Sequence, residues 1–262
     1  MANSVKSASH SFDLSNKVAV VTGSSKGIGR AIAETMALHG ADVVISSRHI
    51  DACEPVAEGI RMRGGSAMAT ACNVGNQEDL RALVATTIAK WGRIDILVCN
   101  AASNPYYGPL LDIDEQAMDK VFTSNVKSVI WLTNLVLPQM AERKDGSVIL
   151  ISSVGGLIGS NVLGFYNMSK AAEQSLAKSL ACEWGSRNIR VNCIAPGLIK
   201  TDFSRALWGD ARMRAGIEAR TALRRIGDPS EIAGVAVMLS SASGAFITGQ
   251  TIVVDGGQLI GG

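Results

Sequence analysis

Aromatic side chains, runs of like charge and long apolar stretches are all scarce in this 262-residue chain. Phe, Trp and Tyr make up only 5% of it, so its core must be packed from aliphatic side chains. The formal net charge is +2 and no Lys/Arg run stands out, which leaves a dedicated nucleic-acid or anionic-membrane surface without support. No apolar run approaches the roughly 18 residues of a membrane span. The five cysteines, Cys53, Cys72, Cys99, Cys182 and Cys193, are odd in number and form no C-x-x-C pair. Their neighbours are mostly apolar, so they read as free thiols rather than disulfides or zinc ligands. A reducing compartment follows, with the cytoplasm as the expectation. Residues 1–15 lack the apolar segment of a signal peptide and read as a flexible leader. The ending Leu259-Ile260-Gly261-Gly262 is no peroxisomal address.

What the chain has is alternation. It is 47% hydrophobic and 18% charged, as a globular protein is. Short β-branched runs at Val18–Thr22, Val43–Ser46, Ala67–Ala71, Ile96–Cys99, Ser147–Ile151, Arg190–Ile194 and Thr251–Val254 read as strands. Helical stretches fall between them at Ile28–His39, Asp51–Arg63, Glu78–Lys90, Glu115–Arg143, Tyr166–Trp184 and Ser230–Ser240. This order predicts right-handed βαβ crossovers: one α/β domain over residues 16–262, a doubly wound Rossmann-type fold with a seven-stranded parallel sheet and helices on both faces. Gly197 to Ile226 has the weakest signal for regular structure and reads as a mobile flap.

The first strand runs straight into Gly23-Ser24-Ser25-Lys26-Gly27-Ile28-Gly29 and then a helix. Gly23 permits a sharp exit, Gly27 a close approach of backbone to pyrophosphate, and Gly29 close packing of helix on strand. The free N–H groups at the helix start suit phosphate. Placed after the first strand of an alternating chain, this turn points to a dinucleotide site. At the end of the second strand stands Ser46-Ser47-Arg48, with no acid for a ribose 2′-OH. Lys26 and Arg48 could instead converge on a 2′-phosphate, so NADP(H) is the expected cofactor. The alternative is that Arg48 and His49 are ordinary solvated loop residues.

Tyr166 and Lys170 stand four apart at the start of a long helix and share a face. A phenol with a pKa of about 10 relays protons poorly near neutrality, and lowering it by roughly 3 units takes about 4 kcal/mol. A lysine ammonium and an oxidised nicotinamide could supply that. Ser153 follows the apolar strand at its carboxyl edge, where open α/β sheets bind ligands. Its hydroxyl could bond a substrate oxygen, with Ser152 as its rival.

Together, Thr22-Gly23-x-x-x-Gly27-x-Gly29, Asn100-Ala101-Ala102, Asn125, Ser153, Tyr166-x-x-x-Lys170 and Pro196-Gly197 resemble the short-chain dehydrogenases/reductases, colinearly from about residue 16 to the end. The resemblance implies a tetrad. Tyr166 would be the general acid/base, Ser153 would orient the substrate oxygen, and Lys170 would lower the phenol's pKa and hold the nicotinamide ribose. Asn125 would fix a water linking Lys170 to solvent. Cofactor contacts are implied for Gly23, Ser25, Lys26, Gly27, Ile28, Gly29, Ser47, Arg48, Asn73, Val74, Asn100, Ala101, Pro196, Gly197, Ile199 and Thr201, besides Tyr166 and Lys170. Two positions depart from the family pattern: Asn73 replaces the usual Asp beside Val74, and Ala102 replaces a glycine.

Within the family, Asn100–Tyr106, Ala195–Trp208 and Arg224–Gly227 resemble the NADP-dependent carbonyl reductases/retinol dehydrogenases of animal peroxisomes, the dehydrogenase/reductase member 4 type. Asn104, Tyr106, Val154, Phe203, Leu207 and Trp208 are expected to line an apolar substrate cleft, although Phe203 and Trp208 could equally serve packing. The expected function is reduction of ketones or aldehydes. The alternatives are a 3-oxoacyl-thioester reductase, with Arg205, Arg212 and Arg214 meeting an acidic carrier, and a non-catalytic NADP(H) sensor. The small-molecule carbonyl or alcohol is the expected partner, with neither nucleic acid nor membrane. A homotetramer built through the helices at Glu115–Arg143 and Tyr166–Trp184 is what the family implies.

Overall fold

The computed structural model describes residues 11–261. Its strands are β1 (Val18–Thr22), β2 (Asp42–Ser47), β3 (Ser66–Ala71), β4 (Ile96–Cys99), β5 (Gly146–Ile151), β6 (Ile189–Pro196) and β7 (Thr251–Val254). They pair in the order β3-β2-β1-β4-β5-β6-β7, parallel throughout. β1, β4 and β5 are buried along their whole length, which is why they read as unbroken apolar runs.

Two aliphatic cores flank the sheet, as the scarcity of aromatics demands. On one face α1 (Gly27–Leu38), α2 (Ile50–Met62) and α9 (Pro229–Ser240) bury Ile32, Met36, Val56, Ile60, Ile232 and Val237. On the other, α3 (Gln77–Trp91), α5 (Ser128–Arg143) and α6 (Gly164–Trp184) bury Leu80, Leu83, Leu132, Val136 and Leu180. The fold is therefore the single doubly wound α/β domain expected, and the strand order reverses between β1 and β4. Ligand crevices in such sheets open outside the carboxyl ends of the strands at that point. Asp228 at the N-cap and Glu231 two residues after Pro229 form a reciprocal capping box, which accounts for the start of α9.

Three expectations need correction. The single helix expected over Glu115–Arg143 is α4 (Glu115–Phe122), a π-helical turn (Thr123–Lys127) and α5. Apolar periodicity could not reveal one wide turn inside a helix. The segment expected as an irregular flap contains α7 (Arg205–Trp208) and α8 (Ala211–Arg220), the latter capped by Asp210. Of the expected leader, residues 1–10 lie outside those described, while residues 11–15 pack onto the domain. Leu14 is 1% exposed, its N–H donates to His39 O, and Ser243 donates to Ser11 O.

Candidate active site

The glycine turn takes the shape that its spacing suggests. Gly23 and Gly27 have φ of +66° and +59°, a left-handed backbone that side chains resist. The fixed object behind the turn is Asn100 at the end of β4. Its Nδ2 donates to Thr22 O at 2.8 Å and Gly23 O at 3.0 Å, and its N–H donates to Thr22 Oγ1. Gly29 makes room for this clamp, since a Cβ there would meet Gly23 O at 2.5 Å and collide with Asn100 Nδ2. Ala101 packs beside Gly23. Ala102 needs no left-handed backbone, so the departure there is accommodated. No side chain caps α1 and no acid lies in its first turn, which leaves its N–H groups and Ser25 free to face an anion.

Other candidate cofactor positions fall around this turn. Ile28 packs on the core, and Ile199 is itself a core residue, so any contact there must come from its main chain. The Ser47 hydroxyl donates to His49 O and contacts Cys53 Sγ, while Arg48 is exposed. Lys26 is paired with Asp202 at 3.3 Å, an engagement the sequence did not suggest. The Asn73 carboxamide oxygen accepts from Gly75 N–H, closing a local turn, and Val74 is partly buried. Pro196 ends β6, and Gly197 donates to Val254 O beside Asp255. Thr201 approaches Gly27 and shares a hydrogen bond with Ser204.

At the end of β5 the two serines separate by direction. Ser152 is buried, donating to Lys170 O at 2.9 Å and accepting from Gln174. Ser153 caps the turn Val154–Leu157, and its hydroxyl stands close enough to the Tyr166 phenol to pull the phenol's pKa down, against burial. Of the two, Ser153 is thus the one beside Tyr166. Lys170 Nζ lies 5.7 Å from the Tyr166 ring centre, and the side chain is only 2% exposed.

The sequence missed what holds Lys170. Its ammonium donates to Ile151 O at 2.9 Å and to both carboxylate oxygens of Glu173, at 2.8 and 3.1 Å. Burial pushes the Glu173 carboxyl up to about 7 despite the pull of Lys170. The opposing charges of Glu173 and Tyr166 outweigh burial and hold Lys170 above its ordinary value. Tyr166 is raised rather than lowered. Burial is the largest cause, Lys170 pulls down against it, and Glu173 pushes up. The expected lowering by lysine is therefore overcome in the protein alone. An acid three residues after Lys170 shares its helical face, and that spacing was the available signal.

Asn125 lies buried in the π-helical turn. Its Oδ1 accepts from Ser103 N–H at 2.8 Å, and its Nδ2 donates to Ser103 O and Ser169 Oγ. Its side chain thus ties the loop after β4 to α6, and it is not hydrogen-bonded to Lys170.

On the substrate side, Phe203 stands over the tyrosine, with ring centres 6.1 Å apart, and is 55% exposed. Trp208 Nε1 donates to Thr201 O at 2.7 Å, fixing α7 and its neighbour Leu207 beside the segment that bears Phe203. Val154 is buried in the turn that follows Ser153, and Asn104 is partly buried on the loop after β4. Tyr106 gives its hydroxyl to Pro109 O and serves the loop itself. Burial and, after it, the Tyr166 charge push the phenol of its neighbour Tyr107 upward.

With this geometry in view, the comparisons with known proteins agree. A family model described as enoyl-(acyl carrier protein) reductase matches residues 23–258. A rabbit (Oryctolagus cuniculus) protein, dehydrogenase/reductase SDR family member 4, is 46% identical over 93% of this chain and 94% of its own. A solved 7α-hydroxysteroid dehydrogenase, in complex with NADH and 7-oxo glycochenodeoxycholic acid, superposes with a TM-score of 0.92 at 35% identity, covering 95% of this chain and 96% of that one. A gluconate 5-dehydrogenase from Burkholderia cenocepacia, in complex with NADP and tartrate, gives 0.91 at 32% identity over 95% and 98%. By its sheet order, its Ser153–Tyr166–Lys170 cluster and these relatives, the chain belongs to the short-chain dehydrogenase/reductase family and is an oxidoreductase acting on CH–OH and C=O groups.

Proposed function

We propose that the chain is an NADPH-dependent carbonyl reductase for apolar ketones and aldehydes. The observation that carries this reading is the placement of the Ser153 hydroxyl beside the Tyr166 phenol at the carboxyl end of β5, backed by the buried Lys170 and roofed by Phe203. A dinucleotide fits the crevice beside it. The left-handed glycines leave a cradle without side chains, and the uncapped start of α1 offers N–H donors. Gly23, Gly27 and the first turn of α1 would hold the phosphates, Asn100 would shape the wall, and Lys170 would meet the nicotinamide ribose. Arg48 and Lys26 would hold a 2′-phosphate, Lys26 after leaving Asp202. Bound there, the cofactor supplies a hydride to the carbonyl carbon.

The protein's own groups manage the oxygen. Ser153 donates to the carbonyl oxygen as negative charge develops, and Tyr166 delivers its phenolic proton to that oxygen. Lys170 then stabilises the phenolate until a proton from solvent restores it. Phe203, its ring centre 6.1 Å from that of Tyr166, presents an apolar wall, which favours aryl ketones or β-keto esters. A thioester reductase is less well supported, since Arg214 is paired with Glu218 and Arg205 lies over Trp208. A non-catalytic sensor would have no use for a serine and a buried lysine set beside the Tyr166 phenol.

The five free cysteines support a cytoplasmic setting. Exposed Phe122, Ile130 and Met168 on α4, α5 and α6 support a homotetramer, which light scattering would test. Tyr166→Phe tests the central reading. Turnover of a ketone panel with NADPH should fall by about 100-fold or more while NADPH still binds. Wild-type kcat in that variant would remove the reading.

A further inference from the structure

Glu173 has no part in the chemistry just described, yet it is among the most deeply buried acids of the domain. Its side chain is 3% exposed. Its carboxylate is bonded through both oxygens to Lys170 Nζ, and the same ammonium is bonded to Ile151 O. Charged and titratable groups meet it from every side. Lys170 and Tyr166 share its helix, Cys99 faces it from β4, and Cys193 from β6 gives a thiol hydrogen bond to its main-chain oxygen. Lys178, further along α6, bears on Cys193. Burial and the Glu173 charge push both thiols upward, so they stay neutral and do not compete for the lysine.

A lysine stabilises a phenolate through its net charge. Bonded at 2.8 Å to an ionised carboxylate, that charge is largely compensated before it reaches Tyr166, whose ring centre lies 5.7 Å from the ammonium. We propose that Glu173 is a positioning residue that holds Lys170 and withholds its charge from Tyr166, thereby setting the pH at which the site changes from proton donor to proton acceptor. The reaction's overall equilibrium is untouched; what moves is the pH range over which Tyr166 carries the proton that reduction consumes. The inference rests on the reading of Tyr166 as proton donor. The directions of titration agree with it: with its carboxyl at about 7, Glu173 is ionised through the alkaline range in which the phenol would otherwise be lost.

The test uses Glu173→Gln, which keeps a hydrogen-bonding group without charge, and Glu173→Met, which keeps the length alone. Tyrosinate absorption is titrated in the cofactor-free protein, and the Tyr166→Phe titration is subtracted to isolate one of the three tyrosines. The pH profile of alcohol oxidation is recorded in parallel. Both midpoints should fall by about one unit in either variant. Oxidation on the acid limb should then rise about tenfold. In the wild-type protein the Tyr166 phenol should titrate above its ordinary value. Midpoints that stay or rise in a folded variant overturn the assignment, as does an equal loss of rate at every pH. If neither variant folds, a wild-type phenol titrating below its ordinary value overturns it. Turnover retained in Tyr166→Phe would instead sink the proton-donor reading, whereas its loss with unmoved midpoints would sink only the role of Glu173.

Discussion

The carboxamide of Asn100 reaches across from β4 to the carbonyl of Gly23 through a gap that exists only because residue 29 is glycine. Gly29→Ala should therefore overpack the junction of α1, β1 and β4 and cost about 1–3 kcal/mol in urea denaturation. The same variant should bind NADPH more weakly, because the turn it displaces is the proposed phosphate cradle.

Trp208 tests how firmly the flap is held. Trp208→Phe keeps a ring but loses the indole bond to Thr201 O, an interaction of about 1 kcal/mol. KM for an aryl ketone should rise about fivefold while kcat changes little. A fall in kcat at constant KM would place Trp208 in the chemistry rather than in the wall.

Cofactor choice turns on a competition. Lys26 is occupied by Asp202 in an exposed pair worth little by itself. Asp202→Asn should free the ammonium and tighten NADPH binding by about threefold, the scale of an exposed pair, leaving NADH unchanged. Ser47→Asp with Arg48→Gln should shift preference toward NADH. Fluorescence titration of both nucleotides gives each ratio.

The α9 capping box should show acid lability. Arg225 and the Asp228 N–H hold the Glu231 carboxyl down at about 2, against about 4.5 in the unfolded chain. Its stabilisation is complete above the unfolded value and is lost as pH falls from 4.5 towards 2. Thermal melts of Glu231→Gln should thus lose less between pH 5 and pH 3 than those of the wild type, two pH values chosen to lie roughly on either side of 4.5.

Leu14 belongs to the core although it precedes the first strand. Leu14→Ala should cost about 2–5 kcal/mol, measured by chemical denaturation, which no residue of a loose leader would do.

Strands, turn chemistry and the Tyr166–Lys170 spacing were legible in the sequence because each rests on local geometry: periodicity, glycine φ values, and the four-residue step of a helix. What the sequence left open or missed depends on direction or on long-range pairing. Ser152 and Ser153 differ only in which way a strand end points them, which left the choice of Ser153 with a rival, and the Tyr106 hydroxyl turns to its own loop at Pro109 O instead of lining the cleft. The bonds of Asn125 to Ser103, and of Lys26 to Asp202, join residues 22 and 176 positions apart. The charge state of Tyr166 follows from burial that no linear pattern records. Glu173 is different, since its spacing from Lys170 was in plain view.

The all-parallel sheet also governs when the enzyme can begin to work during folding. Its site groups come from the ends of β1, β4, β5 and β6, and each of these strands meets its neighbours only after a helix-length crossover. Such non-local pairings form late and together. In refolding experiments the helical signal should therefore recover before any turnover does, and a partly assembled sheet should have no catalytic activity.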